Sequence, residues 1–356
     1  MALNFYHLLK IMIDEGGDVL YLTCGSCPCI RVHGGIKRIE HPSLSSKDLE
    51  DYFNSSTFEN DRISFSFSGY VCSIVEVARL GRFSVSWQGD KFDKKGLKSI
   101  VKSIPSKIQS LLDLGINIHE LNSPFLPGIY LIGGYSKSGR STTLSSLIDN
   151  VNRNLNKKLI AIQPYSSLIH YHKKSLVETI VPKNANEIKQ ITEFAISTSE
   201  ANCIYIDGYY GRAALEAILF AARCGLLCFA TVLGQSVEAV IQNILFEWPQ
   251  SERDYILTFL AKHLNCILCQ ALLPSLRNSQ TLAYEFLNCS NEVRTLIEIG
   301  RIKELRKHFS DDYRIGENIS LEKSVIQLYK NKYISHDTLK SFFDLNPDKK
   351  SLKIFI

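Results

Sequence analysis

The sequence lacks the features that would assign the chain to a membrane, secreted or nucleic-acid-binding class. No apolar run approaches the ~18 residues that a membrane span needs. The amino terminus has neither a basic segment nor a small-residue cleavage site, so we expect no secretory signal. The net charge is +5 without a polybasic tail. We therefore expect a cytoplasmic protein without nucleic acid as a partner.

Disulfide bonds are not expected, although the chain has ten cysteines. Without a secretory signal, reduced cysteines that act as small buried side chains are favoured. The CxxCxC spacing of Cys24, Cys27 and Cys29 leaves a zinc site open as the minor alternative. Cys266 and Cys269 form a second CxxC in the apolar segment HLNCILCQALL, which we interpret as a buried helix.

The length and composition are those of a folded protein with two domains. Hydrophobic residues make up 45% of the 356 residues and charged residues 22%. In the first third of the chain, an amphipathic helix followed by short alternating strands predicts an α+β domain with an antiparallel sheet. Expected elements there are a helix at 46–53 capped by Ser45 or Ser46, strands at 63–67 and 70–77, and a turn at His33, Gly34 and Gly35.

From Gly128 onward, apolar strands alternate with helices. The strand sequences are IYLIG, LIAIQ, CIYID and LLCFATV. Strands that are apolar on both faces predict a parallel sheet covered by helices on both sides, which gives an α/β fold class. Beyond about residue 235 the pattern predicts mainly helices, and the chain closes on the apolar tail LKIFI.

The segment from Ile129 to Leu147, IYLIGGYSKSGRSTTLSSL, joins an apolar strand to a helix through a glycine-rich loop. It matches the phosphate-binding pattern G-x-x-x-x-G-K-S/T except that Arg140 replaces the lysine. Backbone N–H groups of such a loop bind phosphates, and its serine hydroxyl contacts Mg²⁺. The candidate nucleotide-binding residues are Gly134, Ser136, Lys137, Ser138, Gly139, Arg140, Ser141 and Thr142.

This loop, together with NFYHLLKIMIDEGGDVLYLTCG, GRFSVSW, CGLLCFATVL and SLEKSVIQLYKNKYIS, resembles the type IV pilus retraction ATPases of the PilT/PilU kind, within the secretion-ATPase superfamily. The tail NPDKKSLKIFI is more similar to PilU. The resemblance implies a PAS-like amino-terminal domain at 1–107, a linker at 108–127, and a RecA-like P-loop NTPase domain with a helical carboxyl-terminal region at 128–356. It also implies ATP and Mg²⁺ as ligands, a hexameric ring, and the inner-membrane platform protein of the pilus as a partner.

Set against the family pattern, the catalytic positions of this chain are altered. In the loop, Lys137 stands where the family usually has glycine, and Arg140 lacks the compact ammonium of lysine. In the Walker B strand the glutamate position is Gly208, and Asp207 lies one residue early. Side chains alternate along a strand, so this offset predicts that Asp207 points away from the site unless the strand end twists. With Ser141, Asp207 is the candidate Mg²⁺ ligand; an aspartate that caps the following turn is an equal alternative.

Two further catalytic elements and one arginine differ from the family. The acidic segment of the family is replaced by Gln163, Pro164, Tyr165, Ser166 and Ser167, which include no carboxylate. The family's histidine is replaced by Leu233. Its second arginine in the amino-terminal domain, whose charge would stabilise phosphoryl transfer, is Ser84.

These combined changes favour a catalytically impaired subunit, for which we assign no catalytic residue. Such a subunit would form a ring with itself or with an active PilT-type paralogue. It would be cytoplasmic, with peripheral attachment at the inner membrane through the pilus machinery as an open alternative. A second hypothesis is an active hexameric ATP-hydrolysing retraction motor that uses Arg140, Ser141 and Asp207. A third is a protein that binds nucleotide without turnover.

Overall fold

A computed structural model describes most of the chain. The described residues are 4–32, 35–90, 96–118, 121, 125–164, 168–182, 184–208, 211–276, 280–309 and 318–345. Two residues of the predicted turn, His33 and Gly34, lie outside them, while the third, Gly35, begins a strand. The apolar tail also lies outside them, as do Tyr165, Ser166 and Ser167. The chain divides into two compact units. The described residues up to Lys107, with residues 168–169, form the first unit, and the other described residues form the second.

The first unit combines helices with a six-stranded antiparallel sheet, as expected for an α+β fold. The helices are α1 (Phe5–Asp14), α2 (Ser46–Ser56) and α3 (Glu59–Ser68). The strands are β1 (Val19–Thr23), β2 (Cys29–Val32), β3 (Gly35–Arg38), β4 (Tyr70–Val77), β5 (Gly81–Gln88) and β6 (Lys98–Ile104). Their order in the sheet is β3-β2-β1-β6-β5-β4. Apolar residues of the three helices pack on one another and on this sheet in a single core.

The region from Glu59 to Ser68 corrects one prediction of the sequence. A strand was expected at 63–67, but the segment lies in helix α3. The Asp61 carboxylate accepts a hydrogen bond from the Phe58 N–H at 3.1 Å, which satisfies a free N–H group at the start of the helix. Phe65 then packs on Phe53 with ring centroids 4.9 Å apart. The cap and this core contact therefore stabilise a helix, although the alternating apolar pattern is typical of a strand. The cap predicted for α2 at Ser45 is confirmed.

The second unit is built on a seven-stranded sheet with the order β13-β12-β7-β11-β10-β8-β9. Its strands are β7 (Gly128–Gly134), β8 (Lys158–Ile162), β9 (Leu176–Ile180), β10 (Cys203–Ile206), β11 (Leu227–Leu233), β12 (Leu264–Pro274) and β13 (Gln280–Asn288). All neighbours pair in parallel except β12 and β13. The predicted α/β class with a RecA-like sheet is confirmed.

Helices cover both faces of this sheet. They are α4 (Arg140–Asn154), α5 (Ala185–Ser197), α6 (Arg212–Arg223), α7 (Val237–Phe246), α8 (Arg253–His263), α9 (Asn291–Glu298), α10 (Leu321–Lys330) and α11 (His336–Leu345), with a 3₁₀ helix at Ile302–His308. Alternate strand residues enter two separate cores, one with α5 to α9 and one with α4. Residues of the segment predicted as a linker, 108–127, are also buried in the α4 core, notably Ile116 and Leu121.

The segment HLNCILCQALL corrects a second prediction. It was interpreted as a buried helix, but most of the segment lies in strand β12, which pairs with β7 and β13. Most of the other described elements beyond residue 235 are helices, as predicted. A short run that is apolar on all sides does not distinguish a central strand from a buried helix. Cys266 and Cys269 enter opposite cores. Within the described residues, no group of three or more His, Cys, Asp or Glu side chains could hold a metal ion, and this includes Cys24, Cys27 and Cys29. None of the described helices has the length and apolar character needed to cross a membrane.

Candidate nucleotide-binding site

The predicted phosphate loop connects the carboxyl end of β7 to the first turn of α4. Gly134 ends the strand with a φ of 152°, and a Cβ at this position would lie 2.9 Å from the Gln270 carbonyl oxygen. Gly139 precedes the helix with a φ of 86°. Both glycines therefore permit a backbone path that side chains would obstruct. Ser138 N–H donates to the Tyr135 carbonyl at 3.2 Å, which closes the loop between them.

Lys137 has a left-handed backbone, with a φ of 66°. For a residue with a Cβ this conformation costs about 1–2 kcal/mol relative to a right-handed one. The loop thus keeps a bend that suits glycine at a position that holds lysine.

Arg140 is the first residue of α4, and its side chain is directed to the sheet. Only 6% of the residue is exposed, and its Nη1 donates a hydrogen bond to the Val232 carbonyl at 2.5 Å. Val232 lies near the carboxyl end of the neighbouring strand β11. The guanidinium thus spans from the start of the helix to the end of a strand.

Asp207 follows the last residue of β10 and lies beside Ser141. Its Oδ1 accepts hydrogen bonds from Ser141 Oγ at 3.1 Å and from Thr231 Oγ1 at 2.9 Å. The carboxyl is buried, and this burial raises the pKa of Asp207, although the bonds from Ser141 and Thr231 act in the opposite direction. The one-residue offset does not turn Asp207 away, because β10 already ends at Ile206. The structure therefore brings the two candidate Mg²⁺ ligands together.

Ser141 and Asp207 fit a magnesium ion by their chemistry. A hydroxyl and a carboxylate are hard oxygen donors, and Mg²⁺ in nucleotide sites uses one or two such groups beside the phosphates. The N–H groups at the first turn of α4 are suited to the phosphates themselves. The backbone N–H groups thus suit the phosphates of a nucleotide, and the two oxygen donors suit its magnesium ion.

Apart from Asp207, three positions at the ends of the neighbouring strands carry no acid or base. After β8, Gln163 is 2% exposed, and its Oε1 accepts a hydrogen bond from the Tyr205 hydroxyl at 2.8 Å. After β10, Gly208 has a φ of 74°, and a Cβ there would lie 2.9 Å from Pro164 Cγ. On β11, Leu233 is 44% exposed. Ser84, the position of the missing arginine, is buried in the first unit on β5.

Two cavities adjoin these elements, and the sequence did not indicate either. A polar cavity of about 550 Å³ begins at Gly139, Thr142 and Thr143 and extends along β12, β13 and α10. A largely apolar cavity of about 290 Å³ lies at the ends of β10 and β11, where Leu233 and Phe246 line it. The residues that form each cavity come from distant parts of the sequence, so no local pattern could reveal them. Only the polar cavity has a size and lining suited to a nucleoside next to the loop.

Comparison with known proteins extends the resemblance along most of the chain. No protein-family model matches the sequence. The chain is 23% identical over 305 residues to the type IV pilus retraction ATPase PilT of Pseudomonas aeruginosa, covering 85% of this chain and 88% of the relative. It is also 23% identical over 339 residues to the type IV pilus ATPase PilU of that species, covering 94% and 87%. The equal identities do not separate PilT from PilU.

A solved structure of PilT shows the same similarity at the level of the fold. The crystal structure of the pilus retraction motor PilT with bound ADP matches with a TM-score of 0.84 and 24% sequence identity, over 99% of this chain and 100% of that one. The match includes both the amino-terminal unit and the RecA-like unit. In sequence over most of its length, and in fold, the chain is thus similar to the pilus ATPases PilT and PilU.

Proposed function

We propose that this protein is a catalytically impaired, ring-forming subunit of a type IV pilus retraction machinery. The observation that carries this proposal is the position of Arg140, whose guanidinium is bonded to the Val232 carbonyl at 2.5 Å. In a phosphate loop this position usually holds a lysine, whose ammonium reaches the β- and γ-phosphates. Here it ties the start of α4 to β11 and so serves the fold.

The position of Arg140 argues against its guanidinium taking over the phosphate contact of the usual lysine. Turning the guanidinium toward a phosphate would break its bond to the Val232 carbonyl, in a place where the arginine is buried. A buried acceptor that loses its partner costs about 1–3 kcal/mol. Arginine is also longer and planar, which suits bidentate binding more than the close approach of a lysine ammonium.

The groups that would activate a water molecule are also replaced. Gln163, Gly208 and Leu233 cannot accept a proton at neutral pH, and Gln163 is already bonded to Tyr205. Asp207 is a buried carboxyl with two hydroxyl donors on one oxygen, which suits holding a metal ion or the Ser141 hydroxyl. Positioning and charge stabilisation are most of phosphoryl-transfer catalysis, so their joint loss predicts very slow or no hydrolysis.

Nucleotide binding is the part of the family chemistry that these residues still support. The loop from Gly134 to Thr142 supplies backbone N–H groups, and the polar cavity begins at its end. Mg²⁺ bound by Ser141 and Asp207 would neutralise phosphate charge. We therefore propose ATP with Mg²⁺ as a ligand held without turnover.

The proposed partners come from the relatives, which act in pilus retraction. The chain would assemble into a hexameric ring, alone or with an active PilT-type paralogue. The pilus platform protein would hold this ring at the inner membrane from the cytoplasmic side. The alternative is an active hexameric motor with atypical catalytic residues, for which the placement of Ser141 beside Asp207 is the favourable observation.

An ATP hydrolysis assay of the full chain with Mg²⁺, together with light scattering for the oligomeric state, tests the proposal. We expect a ring of several subunits and phosphate release at the background rate. Arg140→Ala should leave that rate unchanged and lower the free energy of unfolding by about 1–3 kcal/mol, because the Val232 carbonyl loses its partner.

The matched control is Arg153→Ala, which removes an exposed arginine from the same helix. It should change neither hydrolysis nor stability by more than about 0.5 kcal/mol. Clear turnover that Arg140→Ala abolishes and Arg153→Ala preserves would establish the active motor instead. A strictly monomeric protein would remove the ring from the proposal.

A further inference from the structure

The side chain of Gln270 connects strand β12 to the phosphate loop. Gln270 pairs with Gly134 across the β12–β7 ladder and is 1% exposed. Its Nε2 donates a hydrogen bond to the Ser138 carbonyl at 2.7 Å. The contact joins two points 132 residues apart in the chain, so it depends on the fold and not on any local motif.

This bond fixes the direction of one peptide unit in the loop. The peptide is planar and trans, so its C=O and the following N–H point in opposite directions. With the Ser138 carbonyl held toward Gln270, the Gly139 N–H points away from β12. Gly139, with its φ of 86°, directly precedes helix α4, where free N–H groups bind anions.

The surroundings of Gln270 indicate a role other than holding the sheet together. Strand β12 is already paired along its length with β7 and β13, and its neighbours Leu268 and Cys269 are fully buried. Within the described residues, Gln270 Oε1 and Ser138 Oγ have no hydrogen-bond partner, although both are buried. Burying polar atoms without partners is unfavourable, and such positions in native structures call for an explanation beyond packing.

We propose that Gln270 is a positioning residue that holds the phosphate loop in its anion-accepting conformation. It acts on the nucleotide through the Ser138–Gly139 peptide, and the bond it makes is independent of hydrolysis. The inference rests on the retention of nucleotide binding in the proposed function. It concerns the di- and triphosphate part of the ligand, because Gln270 binds the loop at Ser138, at the end of the polar cavity where the loop begins helix α4.

Calorimetric titration of the full chain with ADP and with adenosine, both with Mg²⁺, tests this role. Gln270→Met keeps the length of the side chain but removes the donor. We expect the ADP affinity to fall about tenfold while adenosine affinity stays unchanged, because one hydrogen bond that orients the loop is lost. The ratio of the two affinities is a readout that a general loss of packing would not change.

Two further variants keep the test decisive. Gln190→Met changes an exposed residue of α5 outside the polar cavity, and it should leave the ratio as in the wild type. Gln270→Glu keeps the size and polarity; its carboxylate cannot donate to the Ser138 carbonyl, so it should reproduce the loss even if Gln270→Met fails to fold.

An unchanged ratio in either folded Gln270 variant would overturn the positioning role. A wild-type protein that binds no ADP would overturn it as well, whereas absence of hydrolysis alone agrees with both proposals. Failure of the impaired-subunit proposal would instead appear as turnover in the hydrolysis assay, so the two results are separable.

Discussion

The phosphate loop and the ends of strands β8, β10 and β11 lie at the same carboxyl edge of the sheet in the second unit. The loop keeps the backbone of a nucleotide site, with Gly134 and Gly139 in conformations that only glycine adopts easily. The strand ends carry an amide, a glycine and a leucine where the resemblance implies acidic and basic groups. Under the proposed function, shape is retained where the backbone would bind the phosphates, and chemistry is lost where side chains would act on them.

The difference follows from how each region contributes to the fold. The loop is fixed by a strand before it, a helix after it and Gln270 beside it, so it persists as long as the sheet does. A catalytic side chain at a strand end adds little to stability and can be exchanged without disturbing the sheet. At Arg140 the exchange has gone further, because the residue has become part of the packing.

The largest expected effect concerns Gly208, where restoring the family's glutamate should fail. Its φ of 74° and the Pro164 side chain leave no room for a Cβ. Gly208→Glu should lower the free energy of unfolding by about 2–4 kcal/mol, from the left-handed backbone and the overlap together, and should not restore ATP hydrolysis. Urea denaturation and the hydrolysis assay measure the two outcomes.

A pair of alanine variants separates the two causes. Gly225 has a similar φ of 85° but open space around its Cβ position. Gly225→Ala should therefore cost only about 1 kcal/mol, from the backbone alone. Equal costs for Gly208→Ala and Gly225→Ala would show that Pro164 moves aside, and the strand end would then be open to a catalytic side chain.

A smaller loss of stability is expected when the pH is lowered, because a buried, neutral histidine packs against strand β10. His170 is buried against Tyr205, the tyrosine that binds Gln163, and burial lowers the pKa of His170 from 6.5 to about 4. The charges facing it are Asp149, which raises this pKa, and Lys173, which lowers it. The unfolded chain takes up a proton below pH 6.5 and the folded chain only near pH 4, so stability falls as the pH drops through this window.

At pH 5.5 this loss should reach about 1.4 kcal/mol relative to pH 8. His170→Phe should remove that part of the pH dependence in urea unfolding of the full chain. His336→Phe, at an exposed position of the same unit, is the matched control and should keep the wild-type difference. If both variants retain the full loss, His170 is not the group responsible.

The smallest effect is expected in the loop itself, at Lys137. Replacing it by glycine removes the left-handed strain but adds backbone entropy to the unfolded chain, for a net gain of about 0.5–1 kcal/mol. The same exchange at Lys332, which has a φ of 58° outside the loop, should give a similar gain. Calorimetric titration with ADP distinguishes them, since only Lys137→Gly should change the affinity. An affinity change at both positions would contradict a local effect.

Much of the architecture was predictable because it depends on local patterns. The apolar strands of the second unit, the glycine-rich loop and the α2 cap follow from period, spacing and backbone freedom. The helix at 59–68 and strand β12 were missed, because a short apolar segment adopts the conformation that its neighbours in the fold bury best. The domain boundaries at 107 and 127 stay predictions, although residues of 108–127 pack in the second unit.

The sequence by itself indicated the resemblance to pilus ATPases, the α/β class and the glycine-rich loop, and it predicted the replaced catalytic positions, because each of these is a matter of residue identity and spacing. Only the tertiary structure decided where the side chains act. It directs Arg140 to Val232, places Asp207 beside Ser141 and brings Gln270 to the loop across 132 residues of chain. The physical reason is that the parallel sheet aligns strand ends from distant segments, and the contacts among those ends are not encoded in any one of them.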